Sequence, residues 1–299
     1  MSLRCIACND EKFFIAGKLR ALTLLKCDTC GLWAYDASAH HVDRTEDEFA
    51  GLDLEAYYAA MEQIRHQSSR RLLDVIEKHI TNKGRMLDIG CSFGWFLDVA
   101  AERGWQTFGI EPSEIAIETA RAGKHQLLHG EFPAAHFPGE QFDVVAMMDV
   151  LEHLPHGHDA LREINKILRP GGLLVLKVPN RNGGIYRAAT LLYKATCGLA
   201  SLPLWRLWQL DFPYPHVWYF EPRQLRQALE RAGFENLQTD FEPIVTLASI
   251  PHRIRYIRAT GSSGSAFAAP VYRAGLSLCA LLDQLRTERD ILIQFARKP

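Results

Sequence analysis

The sequence predicts an α/β fold, a mostly parallel sheet with helices on both faces, preceded by a small metal-held module. Three observations carry this. From residue 84 onward, short apolar runs of strand length alternate with segments of helical periodicity, the pattern that parallel strand-helix-strand units impose. A turn with glycines at Gly90 and Gly94 ends the first apolar run, and a carboxylate, Glu111, ends the second. Four of the seven cysteines form two Cys-x-x-Cys pairs within the first thirty residues.

Those cysteines define the first element, a ribbon over residues 1–43. Cys5-Ile-Ala-Cys8 and Cys27-Asp-Thr-Cys30 are separated by residues 9–26, a spacing that lets two thiolate knuckles close one tetrahedral zinc site, with Gly31 helping the second knuckle turn. Four sulfur ligands leave no open coordination position, so the expected zinc is structural. Without metal, so short a segment has little apolar material to fold around. Paired thiols of this kind also suit a reducing compartment better than a disulfide framework does.

Residues 44–83 form a helical bridge, because 53–61 and 70–79 both carry helical apolar spacing and Asn82-Lys-Gly84 then breaks the pattern. The remaining domain, 84–299, has strand signals at 86–90, 105–111, 126–129, 142–148 and 173–178, the last after the Pro170-Gly-Gly172 turn. Helical signals fall at 94–103, 113–122 and 158–168. Regularity lapses near 181–215, returns with a helix at 221–232 and a strand at 234–241, lapses again near 243–287, and ends in a strand at 290–296. The second insertion includes Gly261-Ser-Ser-Gly-Ser265, read as a mobile loop, and an apolar helix at 271–285.

Composition narrows the class. Hydrophobic residues make up 47% of 299, ample for a buried core. A formal charge of −1 and an isoelectric point near 6.9 argue against a protein whose main work is coating nucleic acid. No apolar run approaches the roughly 18 residues of a spanning helix, and the N-terminus lacks the layout of a secretory signal, so the cytoplasm is the expected compartment.

In a parallel sheet of this kind, ligands lie beyond the carboxyl ends of the strands, where Gly90, Glu111, Asp149 and Asn180 fall. Glycines in the first turn let the backbone approach a ligand, and the acid at Glu111 suits a ribose diol. A third glycine and a phosphate-binding lysine are absent, so the turn is neither a dinucleotide fingerprint nor a Walker loop. An adenosine ligand without a pyrophosphate is the reading that remains.

Several motifs then agree in order. Asp88-Ile-Gly90-Cys-Ser-Phe-Gly94, Gly109-Ile-Glu-Pro-Ser113, Phe142-Asp-Val-Val with Asp149-Val-Leu-Glu-His-Leu154, and Leu168-Arg-Pro-Gly-Gly-Leu-Leu174 resemble the successive motifs of class I S-adenosylmethionine-dependent methyltransferases. Phe220-Glu-Pro-Arg-Gln-Leu225, Ala232-Gly-Phe234 and Ala296-Arg-Lys298 fit the same series. The resemblance implies a seven-stranded Rossmann-like sheet and S-adenosylmethionine as cofactor. It also implies that Gly90 and Gly94 pass close to the methionine part, that Asp88 binds the ammonium directly or through water, and that Glu111 takes both ribose hydroxyls. Asp149 joins the cofactor set, and Glu131 reaches toward the adenine amino group. The family has a glycine where this chain has Ser92, so the loop is expected to sit farther from the ligand or to use the hydroxyl as a contact.

Methyl transfer is an in-line displacement that mainly requires alignment, with a base added where the nucleophile must lose a proton. Histidine suits that role near neutral pH. His153 lies at the mouth of the site, and His156 and His158 follow in a polar loop expected to be exposed. His216 stands in Phe212-Pro-Tyr-Pro-His216, where related deoxysugar C-methyltransferases carry Tyr-x-Glu-His; here Pro215 replaces the glutamate. His216 and His153 are therefore the catalytic candidates, and a packed, hydrogen-bonded histidine is the alternative for His216.

The ribbon fused to this core resembles methyltransferases of deoxysugar, polysaccharide and natural-product pathways, which puts a small sugar-containing acceptor first. The Leu-Glu-His element and the tail also resemble quinone-type O-methyltransferases, so a lipid or phenolic hydroxyl is the second choice. Asp149-Val-Leu-Glu152 stands where a base-modifying enzyme would carry Asn-Pro-Pro-Tyr, so RNA methylation, or a regulator using the ribbon as a binding module, ranks below both. The insertion at 185–209 mixes aliphatic, tryptophan and basic residues, and Arg253-Ile-Arg-Tyr-Ile-Arg258 mixes isoleucine, tyrosine and arginine. Such segments either meet a membrane surface or greasy substrate, or pack on the core and form a homodimer face.

Overall fold

The computed structural model describes residues 3–20, 22–36, 47, 49–121, 123, 125–139, 141–210, 212–259, 268–284 and 286–299. The Gly261–Ser265 patch and the end of the ribbon segment at 37–43 lie outside them.

The main sheet has seven strands: β4 (Arg85–Ile89), β5 (Gln106–Glu111), β6 (Gln126–His129), β7 (Phe142–Met148), β8 (Leu168–Pro179), β10 (Glu235–Glu242) and β11 (Ile291–Arg297). Their spatial order is β10-β11-β8-β7-β4-β5-β6. Strands β8, β7, β4, β5 and β6 run parallel, and β11 lies antiparallel to both of its neighbours. The central strands are buried on both faces, which is why 142–148 reads as a continuous apolar run and not as an alternation. This is the Rossmann-like, mostly parallel sheet expected.

Helices α2 (Trp95–Glu102), α3 (Glu114–Ala120), α4 (Gly157–Ile167) and α7 (Pro222–Arg231) follow strands or bridge them. Local chemistry sets their starts: Ser113 accepts from Ala116 N, and Glu221 with Gln224 forms a capping box. Strand β8 begins earlier than the 173–178 run, because Phe142 pairs with Leu168 before the register shifts around the Pro170-Gly-Gly172 turn.

The bridge is one helix, α1 (Leu54–His79), capped by Asp53 through Ala56 N. The polar stretch between its two apolar segments contains no glycine or proline, so nothing interrupts it, and α2 and α8 (Ile250–Ala259) pack against it. The first irregular insertion folds as α5 (Gly184–Ala195) and α6 (Leu202–Leu207), and the second contains α8 and α9 (Ala268–Gln284).

The N-terminal ribbon consists of β1 (Phe13–Leu19), β2 (Leu22–Cys27) and β3 (Trp33–Tyr35), joined edge-on by β9 (Trp218–Tyr219) from the far side of the chain. Its buried cysteines share one apolar cluster with the β4, β7 and β8 side of the main core. No described helix is long and apolar enough to cross a membrane.

Candidate active site

The carboxyl ends of β4, β5, β7 and β8, roofed by α1, open onto a cleft of about 670 Å³. Asp88, Gly90, Ser92, Glu111, Glu131, Asp149, His153 and His216 all line it. Gly94 does not: it caps α2 with φ +81, and a Cβ there would meet Ala120 at 3.2 Å, so its smallness serves the packing of the helix start.

At the glycine-turn end, the backbone is drawn tight. Gly90 has φ +75, and a Cβ on it would sit 2.4 Å from Val150, so a side chain is excluded on both conformational and steric grounds. Ser92 has φ +48, the left-handed conformation a glycine adopts without cost. It meets the site through its backbone N–H, which donates to Glu111 Oε2 at 2.7 Å. Ser113 N donates to the other carboxylate oxygen at 2.8 Å. Glu111 is thus held with one hydrogen bond on each oxygen, leaving further lone pairs for a diol. Burial pushes its pKa up to about 7, against the opposing pull of the Ser113 and Ser92 amides.

Asp88, at the end of β4, is 2% exposed, and its Oδ1 has no hydrogen-bond partner among the described residues. Burial first, and the Glu111 charge second, raise its pKa well above the ordinary carboxylate range. An orphaned buried carboxyl in a glycine-lined cradle fits a cationic group of a ligand. Asp149 follows β7 with φ +57 and accepts from Arg65 Nη1 of α1 at 3.1 Å. Burial works to raise its pKa, but the charges of Arg65 and Lys177 prevail and hold it below the usual range. Glu131, in the loop after β6, is exposed at the cleft edge.

The other end of the cleft is a cluster the motifs only partly announced. Glu152, His153 and His216 each offer one ligand atom, all within 4.8 Å of one another. Glu152 is fully buried, neither carboxylate oxygen is hydrogen-bonded among the described residues, and burial, then the Asp149 charge, push its pKa well above normal. The His153 and His216 rings meet edge-on with centroids 4.7 Å apart. His153 Nδ1 lies 3.2 Å from the Pro215 carbonyl oxygen, which can only accept, so Nδ1 carries the proton and Nε2 is the basic nitrogen. His216 is 4% exposed, its Nδ1 has no hydrogen-bond partner among the described residues, and burial, then His153, hold its pKa well below normal. It is a neutral imidazole at pH 7. His156 is exposed as expected, whereas His158 is half-buried beside Asp159.

Sequence reasoning missed Arg65 and Lys177. Lys177 is buried on β8, bonded to Glu242 at 2.9 Å and Ser68 at 3.0 Å. A lone lysine inside the apolar Leu173–Val178 run was the available signal for it, since such a charge needs buried partners. Arg65 had none, because its approach depends on how α1 crosses the strand ends.

The four ribbon cysteines also converge, with all sulfur atoms within 4.8 Å and the Cys5–Cys30 and Cys8–Cys27 pairs at 3.4 Å. A tetrahedral zinc with bonds of about 2.3 Å spaces its sulfurs by roughly 3.8 Å, so the set fits that ion with small adjustments.

A family described as "Methyltransferase domain" matches residues 61–239. Among curated relatives, the ubiquinone biosynthesis O-methyltransferase of Aromatoleum aromaticum is 28% identical over 239 residues, 76% of this chain and 92% of that protein. Its counterpart from Chromobacterium violaceum is 28% identical over 212 residues, 65% of this chain and 86% of that protein. That from Stutzerimonas stutzeri is 30% identical over 166 residues, 52% and 66% of the two chains. Across such relatives the chain spans from 49% to 92% of their length. The fold is similar to that of a putative methyltransferase in complex with the Trm112 activator of Haloferax volcanii, with TM-score 0.54, 19% identity and coverage of 84% and 96%. It is also similar to that of an S-adenosylmethionine-dependent methyltransferase of Archaeoglobus fulgidus, with TM-score 0.50, 18% identity and coverage of 81% and 99%.

Proposed function

The chain belongs to the class I S-adenosylmethionine-dependent methyltransferases, and from that premise we propose that it methylates a hydroxyl of a small, quinone-like or phenolic acceptor at the histidine end of the cleft. The observation that carries the proposal is Glu152, buried against His153 and His216 with no hydrogen-bond partner among the described residues. The ubiquinone biosynthesis O-methyltransferases among the relatives support oxygen as the methylated atom and favour this acceptor over the sugar that the sequence put first.

When bound, S-adenosylmethionine supplies an electrophilic methyl group on a sulfonium. Asp88 supplies the buried carboxylate for the ammonium, and the orphaned Oδ1 is the atom that gains a partner. Glu111, oriented by Ser92 and Ser113, accepts from the ribose hydroxyls, and Gly90 gives the backbone its closest approach. Glu131 stands at the edge for the adenine amino group, and Asp149, tied to Arg65, fixes the floor between the two ends.

His153 Nε2 or His216 takes the proton of the acceptor hydroxyl, and His216, held neutral by burial, has an imidazole nitrogen able to accept it. Glu152, its carboxyl pushed well above the usual range by burial, lies beside both rings as a proton-holding neighbour. Exposed leucines on α5, at the turn after it and on α6, namely Leu191, Leu199 and Leu202, belong to the same insertion as the exposed Lys194 and the cleft-lining Arg206, Leu207 and Phe212. An acceptor with an apolar tail, presented at a membrane surface, suits that rim. The ribbon holds structural zinc on Cys5, Cys8, Cys27 and Cys30.

Incubating the purified protein with methyl-labelled cofactor and matched panels of polyprenylated phenols and nucleotide sugars tests the reading. Label on a phenolic oxygen is expected; label on a sugar carbon would overturn it.

A further inference from the structure

We propose that the N-terminal ribbon is the arm that holds the acceptor half of the cleft in place, because its strand β3 is the partner on which β9, and with it His216, is hung. The inference rests on the reading of His216 as an acceptor-side residue.

Strand β9 is two residues long, too short to persist without neighbours. On one side it pairs with the ribbon, Trp33 with Tyr219 and Ala34 with Trp218, and Tyr35 N donates to Val217 O at 2.9 Å. On the other side, Val217 N donates to Glu152 O at 2.7 Å and the Trp218 indole donates to Leu154 O at 2.8 Å. The ribbon strand therefore reaches Glu152 and His216 through a single intervening segment. Three further contacts tie the ribbon to that segment or to residues beside it: Phe13 packs against Trp218, Gln224 Nε2 of α7 donates to Cys30 O at 3.3 Å, and the Arg181 guanidinium, after β8, lies 4.6 Å from the centre of the Trp33 ring. Arg181 in turn pairs with Glu221 at 2.6 Å, next to β9 in sequence.

The metal ligands sit at the root of this arm. Cys27 ends β2, and Cys30 lies in the turn that leads into β3, closed by Cys27 N donating to Leu32 O. In a segment this small, ligation replaces much of the core that would otherwise fix the β2–β3 hairpin. The cofactor half draws its order from elsewhere: Glu111 is held by Ser92 and Ser113, and Gly90 N by Ile110 O. Loss of metal thus frays β3, releases β9 and displaces His216, while the adenosine site stays formed.

Hydrogen exchange by mass spectrometry and calorimetry with S-adenosylhomocysteine, both on the full chain, test this. In the Cys27→Ser/Cys30→Ser protein, amides at 216–220 should exchange at least about tenfold faster, with those at 86–94 and 107–111 unchanged and the affinity within about twofold. Trp33→Ala, which keeps the four thiolates, should speed exchange at 216–220 in the same direction and lower kcat without raising KM for S-adenosylmethionine. Unchanged exchange at 216–220 in both proteins would overturn the proposal. So would loss of homocysteine-analogue binding in step with it, since the ribbon would then support the whole fold; if the cysteine variant does not fold, the Trp33→Ala result decides. A His216→Ala protein with full turnover would instead remove the functional reading and leave the exchange result standing.

Discussion

Ser92 holds Glu111 with its main chain: the amide donates to Oε2 at 2.7 Å from a residue whose φ is +48. The hydroxyl substitution in the glycine turn therefore leaves the path of the loop intact and stores its cost in backbone conformation. A left-handed non-glycine residue costs about 1–2 kcal/mol. Ser92→Gly should recover part of this, on the order of 1 kcal/mol, as a rise in melting temperature with unchanged affinity for S-adenosylhomocysteine. A fall in stability would show that the serine side chain makes a compensating contact.

The same carboxylate sets a pH dependence. Burial raises the pKa of Glu111 to about 7, above the ordinary 4.5, so its contribution to stability is present below the ordinary value and is lost as pH rises through 7. Ribose hydroxyls donate to the ionised form, so affinity for S-adenosylhomocysteine should strengthen between pH 6 and 8 and level off above. Calorimetry across that range checks it, and Glu111→Gln should flatten the curve. Glu111→Ala should weaken binding by about 1–3 kcal/mol, the size of hydrogen bonds to a charged group.

Asp88 is raised in the same sense by burial and by Glu111, so ionising it there is unfavourable and neutralising it is not. Asp88→Asn should therefore match or exceed the wild type in thermal stability without ligand, yet lose about tenfold or more in cofactor affinity, because a buried charge-assisted partner is removed. A variant that binds normally would take Asp88 out of the ammonium role.

At the histidine end, removing a positioned base typically costs about 100- to 10,000-fold in rate. His153→Ala and His216→Ala should each reduce kcat while leaving S-adenosylhomocysteine binding intact, and the member carrying the proton should show the larger loss. Glu152→Gln keeps shape and hydrogen-bonding capacity, so it should lower kcat less than Glu152→Ala does. Equal turnover in all four proteins would assign the cluster to packing alone.

Metal analysis of the purified chain should return about one zinc per molecule, as four converging thiolates require. Cys27→Ser with Cys30→Ser should abolish it. A metal-free protein that remains fully folded would remove the ribbon site.

Vesicle sedimentation checks the rim. Binding to anionic vesicles should exceed binding to neutral ones and fall with Leu191→Ser/Leu199→Ser, because exposed leucines beside a basic residue couple apolar insertion to charge. Equal recovery of both proteins in the supernatant would leave the rim without a membrane role.

The sequence by itself determined the sheet and most of the cofactor half. Parallel strands buried on both faces must be continuous apolar runs, and a backbone that passes close to a ligand needs Gly90, so both leave local marks. The paired cysteines likewise carry their own spacing. Only the tertiary structure decided that 54–79 is one helix bringing Arg65 to Asp149, that Gly94 serves packing, and that Glu152, His153 and His216 form one cluster. It also joined residues 33–35 to 217–219 across the chain. Such relationships arise from how separate elements cross and pair, and a side chain's neighbours over that separation leave no periodic trace in the chain around it.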